Sequence, residues 1–209
     1  MIMFKFIFFL TILLSTFNQG FAQETDTSFV NDVDRFRNEL NDQYKDKEHS
    51  PLTEKDRRKF KGHDFYEINS KYRVVAKFIL TPDTENFEMK TTTERRPIYR
   101  KFGEVHFEID GQQFILSVYQ NLANLKSEKY KNHLFLLFND KTNGHGSYYG
   151  GRYIDLLIPE GNTIIIDFNK SYNPYCHYNS KYSCPIPPSE NNLDVEIKAG
   201  IKSYGKAKH

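Results

Sequence analysis

"GEVHFEIDGQQFILSV" (Gly103–Val118) decides how the rest of the chain is read. Asp110-Gly111 is a two-residue turn of the type that matches the twist of a β-hairpin, and apolar residues alternate on either side of it. Pairing about that turn sets Ile109 against Gln112, Phe107 against Phe114 and Val105 against Leu116. All but Gln112 are apolar, so this face is the buried one, and a slip of one residue would turn it outward. Glu104, His106, Glu108, Gln113 and Ser117 fall on the opposite face.

The period of two continues on both sides of the hairpin. "YRVVAKFIL" puts Tyr72, Val74, Ala76, Phe78 and Leu80 on one face. "HLFLLF" (His133–Phe138), "YIDLLI" (Tyr153–Ile158) and "TIIIDF" (Thr163–Phe168) are further strands, the last two joined by the turn "PEGN". "LDVEIKA" alternates with Leu193, Val195, Ile197 and Ala199 inward and reads as a closing strand. Weaker strands cover "NFEMKTT" and "IYRKF". About eight short strands without intervening helices predict a mostly β protein, an antiparallel β-sandwich or open barrel.

Ahead of the strands the period changes. Phe29, Val33, Phe36 and Leu40 recur at helical spacing, with Ser28 as a candidate N-cap. A second short helix follows "SPLT", with Thr53 as cap, Asp56 at the capping-box position and Gly62 as stop. One or two N-terminal helices therefore lie against the sheet. Before them, Lys5, the apolar run "FIFFLTILL" (Phe6–Leu14) and the small-x-small "GFA" (Gly20–Ala22) form a secretory leader pattern. The run is far shorter than the ~20 residues of a membrane-spanning helix, so membrane insertion is not expected. The layout is a signal peptide over residues 1–22, a helical region over 23–49, a single β-rich domain over 50–200 and a flexible tail over 201–209. The expected location is exported, periplasmic or extracellular.

The net charge of +2 gives no long-range attraction to nucleic acid or anionic lipid. The only cysteines, Cys176 and Cys184, lie in "DFNKSYNPYCHYNSKYSCPIPPSENN" (Asp167–Asn192). In an exported chain they are expected to form a disulfide. Reactive free thiols and a metal site are the alternatives, although zinc takes four ligands and only His177 lies close in sequence. Two long loops stand out, residues 139–151 and 169–192. Half of the 14 tyrosines fall between Tyr148 and Tyr182. Such aromatics argue for ordered loops packed together at one end of the sheet.

"FNDKTNGHGSYYGGRYIDL", "DFNKSYNPYC" and "CPIPPSENNLDVEIKAG", with the earlier blocks "HSPLT", "KFKGHDFYEINSKYRVVAKF" and "FGEVHFEIDGQ", resemble the domain-of-unknown-function family 1684, an uncharacterised bacterial family. Its members show phenylalanine, aspartate and threonine ahead of a Gly-Tyr-Arg-Tyr stretch, then two cysteines and a Pro-Pro-Glu-Asn motif. The likeness spans most of residues 50–200. Two positions depart from it: Ile201 stands where glutamate is common, and Asn139 where a basic residue is. The resemblance implies a fold grouping and the location of a site, with no activity, cofactor or metal.

Within these blocks Arg152 leaves a Gly-Gly pair and enters a strand whose face continues through Ile154, Leu156 and Ile158. A guanidinium at the rim of an apolar interior suits bidentate binding of a carboxylate or phosphate; an internal pair with Asp167 or Glu190 is the alternative. Asp167 and Asn169 share a strand face and either orient Arg152 or anchor loop amides. Asn173, before Pro174, is a turn former or a ligand contact, and Glu190 follows the rigid "PIPPS" run. His145 lies in a glycine-rich loop beside Tyr149. His106 and Glu108 could form a metal pair at period two, on a face expected to be partly exposed. There is no G-x-S-x-G elbow and no phosphate loop.

These features favour binding of a small polar or anionic ligand in a tyrosine-lined pocket formed by loops 139–151 and 169–192, with Arg152 as the charge anchor. The rivals are a hydrolytic enzyme using Asp167 or Glu190 with His145, and a structural or docking protein of the cell envelope.

Overall fold

The Asp110-Gly111 turn has φ of 53° and 79°, both left-handed, and it sets the register the alternation requires. In a computed structural model describing residues 19–205, with side chains from residue 27, strand β3 (Ile98–Ile109) pairs antiparallel with β4 (Gln112–Asn121). Its partners are Ile109↔Gln112, Phe107↔Phe114 and Val105↔Leu116. The segments "IYRKF" and "GEVHFEI" are thus one continuous strand. A bulge between Lys101 and Gly103 bends it. Gly103 is required at that bend: a Cβ there would lie 2.7 Å from the Ile79 carbonyl and 2.8 Å from the Phe78 ring.

The remaining strands are β1 (Arg73–Leu80), β2 (Asn86–Glu88), β5 (His133–Phe138), β6 (Arg152–Leu157) and β7 (Thr163–Asp167). They form one antiparallel sheet in the order β6-β5-β4-β3-β1-β7, with β2 added alongside β3. The sheet curls into a half-barrel, an open barrel with β6 and β7 at its two ends. Its inner face carries Val74, Ala76, Val105, Phe107, Leu116, Leu134, Leu136, Ile154, Ile166 and Phe168, all buried. Strand β5 is buried on both sides, because Phe135 and Leu137 pack outward with Met89, Tyr99, Tyr119 and Tyr153. That second cluster explains why "HLFLLF" shows no polar alternation.

Helix α1 spans Gln19–Lys45. Ser28 therefore lies inside it and is not its cap. Leu40 and Tyr44 pack with Leu52, Phe60, Tyr178 and Ile201. The short helix α2 (Glu54–Arg57) is capped as expected, Asp56 N donating to Thr53 Oγ1 at 3.2 Å. It ends well before Gly62. Residues 1–18 of the leader pattern lie outside the described residues. Among the described residues, no helix is long and apolar enough to cross a membrane.

Two expectations fail at the C-terminus. The segment "LDVEIKA" forms no strand, although Leu193, Ile197 and Ala199 are buried as the alternation demanded. It plugs the half-barrel, and its inner polar groups are met by side chains. Nor is the chain beyond Gly200 a flexible tail as far as it is described. Ile201 is buried and bridges Phe65, Ser203 N donates to the Gly146 carbonyl at 2.9 Å, and Tyr204 packs beside Phe60. The segment carries enough aromatic and aliphatic surface to bury. Residues 206–209 lie outside the described residues.

Candidate functional site

Arg152 is the largest fully buried side chain among the described residues, not a rim residue open to a ligand. Its Nη2 lies 2.6 Å from Asp140 Oδ2, a pair with no exposure on either side chain. Nη2 also donates to the Ile197 carbonyl at 2.9 Å, and Nη1 to that of Ala199. Asp140 Oδ1 accepts from Thr142 N at 2.7 Å and Ile197 N at 3.2 Å. The ion pair thus does for the plug what a neighbouring strand would have done: it satisfies an amide and two carbonyls of an extended, buried segment. Arg152 pairs with neither Asp167 nor Glu190; both of its Nη atoms are engaged, and its buried Nε has no hydrogen-bond partner among the described residues. The partner is Asp140, the aspartate of the resembled Phe-Asp-Thr motif, which sequence reasoning had not assigned to Arg152.

The two long loops do pack together, and the tyrosines and polar groups between them are taken up in packing. Tyr148 is buried and lies 4.1 Å, ring to ring, from His177. Ser147, Thr142 and Ser171 are buried. Asn173 is a turn and packing residue, its Nδ2 donating to the Lys202 carbonyl at 2.9 Å. Tyr149 is 70% exposed, and His145 is exposed at a turn. Glu190 is exposed and accepts from the Tyr119 hydroxyl at 2.6 Å. Among the described residues no hydrogen bond or ion pair joins His145 to Asp167 or Glu190, so the hydrolytic trio is not assembled. His106 contacts Glu104 at 3.1 Å rather than Glu108, and no cluster of three metal-ligating side chains occurs among the described residues.

Sequence reasoning also missed Asn191. Its side chain donates to the Ser117 and Leu137 carbonyls at 2.8 and 2.7 Å and accepts from Ser117 N at 2.7 Å. It links β4 to β5 where the two strands splay. The asparagine run at 191–192 was its only trace in the sequence.

Cys176 and Cys184 are free thiols, not the expected disulfide. They are nonetheless in contact, with Cys176 N donating to Cys184 Sγ at 3.1 Å. The hydrogen bond from Cys184 is the main reason the Cys176 thiol falls to about 7, while that same bond pushes Cys184 up.

The residues that do converge on open space lie at the seam between β6 and β7. A cleft of about 360 Å³ is bounded there by Asp155 and Leu156 on β6, Ile165 and Asp167 on β7, Arg73 on β1, and Phe36 of α1. Lys170 and Tyr172, from the start of the 169–192 loop, complete it. Arg73 and Asp167 are directly opposed across the β1–β7 ladder. Asn169, itself fully buried, fixes Asp167: its backbone N and Nδ2 donate to Asp167 Oδ1 at 3.0 and 2.9 Å. The other oxygen, Oδ2, is buried and accepts no hydrogen bond among the described residues; the nearest cation, Arg73 Nε, is 3.7 Å away. Burial raises the Asp167 carboxyl above the ordinary range, against the opposing pull of Asn169, Lys170 and Arg73. Across the cleft Asp155 is fully engaged, with His133 Nε2 at 2.7 Å and the Tyr172 hydroxyl at 2.8 Å. Lys170 is held by Asp32 at 2.5 Å.

Asp167 was legible in sequence as a carboxylate at the end of an apolar strand. Arg73 was not, since only the β1–β7 pairing sets it opposite, and Lys170 and Tyr172, just after it in sequence, were not read as part of a site.

None of the curated proteins matches this sequence. Among solved structures, the chain is similar to the solution NMR structure of an uncharacterized protein of Haloarcula marismortui. The two share 29% identity with a TM-score of 0.68, over 89% of this chain and 99% of that one. The family model described as "Protein of unknown function (DUF1684)" matches residues 58–202, and the chain belongs to that family.

Proposed function

We propose that this protein binds a small polar molecule in the cleft between β6 and β7. The observation that carries the reading is Asp167, which lines the cleft and whose Oδ2 is buried and accepts no hydrogen bond among the described residues. Such an atom costs about 1–3 kcal/mol or more if left unmet, and a site kept at that cost points to a ligand donor. Arg73, whose guanidinium is only loosely engaged, supplies donors beside it. The pair suits a ligand that presents a hydroxyl or amine next to an acceptor oxygen. Phe36, Leu156, Ile165 and Tyr172 offer apolar surface for its carbon skeleton.

The anionic reading loses its anchor with Arg152 buried. The charges at the seam largely balance in Arg73–Asp167 and Lys170–Asp32, which favours a neutral or zwitterionic ligand. The leader pattern supports placing this activity outside the cytoplasm. N-terminal sequencing of protein recovered from its native cell tests that, with a start near Gln23 as the expected result.

For the ligand, the protein is purified from its native source and its released small molecules are identified by mass spectrometry. The candidates, together with panels of polyols, amino acids and small acids, are then measured by calorimetry. Binding to the wild type that Asp167→Asn and Arg73→Gln each weaken at least about tenfold, the loss of one charged hydrogen bond, supports the reading. No binding, or binding indifferent to both changes, overturns it.

A further inference from the structure

Neither Cys176 nor Cys184 lines the cleft, and the proposed binding makes no use of them. Cys184 is 6% exposed. Its flanks are laddered onto a neighbouring segment: Thr92 N donates to the Cys184 carbonyl at 2.9 Å and Cys184 N donates to Thr92 Oγ1 at 3.1 Å. Cys176 is partly open to solvent, in a single 3₁₀ turn (Tyr175–His177). The Cys184 thiol and the nearby hydroxyls of Thr92 and Tyr148 lower the pKa of the Cys176 thiol, and the two cysteines touch, Cys176 N donating to Cys184 Sγ at 3.1 Å. One thiol is therefore reachable, and the second is buried in contact with it, out of reach of anything large. His177, next in sequence, takes no part as a base, because its Nε2 already accepts from Tyr204 N at 2.8 Å.

We propose that Cys176 and Cys184 are a redox-active dithiol that exchanges with small disulfides, Cys176 attacking and Cys184 resolving. The Cys176 thiolate attacks one sulfur of a low-molecular-weight disulfide. That S–S bond breaks, one small thiol leaves with the proton Cys176 gave up, and a mixed disulfide remains on Cys176. Cys184 then loses its proton and attacks Cys176 Sγ, expelling the second small thiol. Two protein thiols are oxidised to one disulfide, and one small disulfide is reduced to two thiols. Its surroundings favour the Cys176 thiolate, the Cys184 thiol first among them. At pH 7 it should react about threefold faster than an unperturbed thiol, the larger thiolate fraction being partly offset by lower nucleophilicity.

The test uses the full chain, reduced with dithiothreitol, desalted and exposed to oxidised glutathione. Acid-quenched samples are alkylated and read by peptide mass spectrometry. The wild type should end with an internal disulfide and no retained glutathione. Cys184→Ser should hold glutathione on Cys176, and Cys176→Ser should stay unmodified. A first adduct on Cys184, a wild type that keeps its mixed disulfide, or two thiols that survive untouched would each overturn the proposal. Should Cys184→Ser fail to fold, the wild type alone decides. Its Cys176 alkylation rate should be half-maximal near pH 7, and a midpoint at the ordinary thiol value would count against the assignment.

Discussion

Replacing Arg152 with methionine removes the guanidinium but keeps most of its apolar stem in place. Asp140 then keeps the amides of Thr142 and Ile197 at 2.7 and 3.2 Å and loses its countercharge at a position with no exposure. The carbonyls of Ile197 and Ala199 lose their donor as well. Stripping one partner from a buried ion pair costs about 3–5 kcal/mol. For a domain of this length that lowers Tm by roughly 6–20 °C. Adding Asp140→Asn to the same chain removes the stranded charge while leaving an amide oxygen for the two backbone donors. The double variant should therefore recover about 1–3 kcal/mol relative to Arg152→Met alone. Urea unfolding followed by circular dichroism, with the slope held common to all variants, measures both differences. A single-variant loss under about 1 kcal/mol, or a double variant no more stable than the single one, would refute the idea that this pair holds the plug in place.

At the seam, the folded pKa of Asp167 is raised, so its contribution to stability is full below the unfolded carboxylate range and fades as pH rises through the folded value. Asp167→Asn should accordingly raise Tm at pH 7 and lose that advantage in acid; a lower Tm at neutral pH would contradict an unmet carboxylate. His63 and His177 are both depressed to about 4 by burial, His177 adding a smaller push on His63. They stabilise the fold above the usual 6.5, and that contribution is lost as pH falls through about 4. Stability should decline across this window, and His63→Gln should flatten the decline in pH-dependent unfolding; an unchanged slope would exclude His63 as its source. Gly111→Val, forced into positive φ, should cost about 1–3 kcal/mol, and His106→Ala, on the outer face of the hairpin, under about 0.5 kcal/mol. Urea midpoints in the reverse order would refute the register.

What the sequence determined by itself was the part of the fold carried by short-range rules. Asp110-Gly111 and the alternation around it set the β3–β4 register, because an apolar face of period two admits no slip. Thr53 capped α2, and the run of residues 133–138 was a strand. The same local rules misread "LDVEIKA": period two reports which side chains are buried, not what meets the backbone between them. Only the tertiary structure decided that Asp140 and Arg152, rather than a strand, bond to Ile197 and Ala199. It also moved the candidate site. Arg152 and the tyrosine loops were conspicuous in sequence, yet burial used up the arginine's charge and the loops filled the space between them. The cleft instead gathers α1, β1, β6, β7 and the turn after Asp167, segments far apart in the chain. Strand β6 reaches β1 and β7 there only because the sheet curls until its two end strands stand side by side without closing, a long-range geometry that no local pattern encodes.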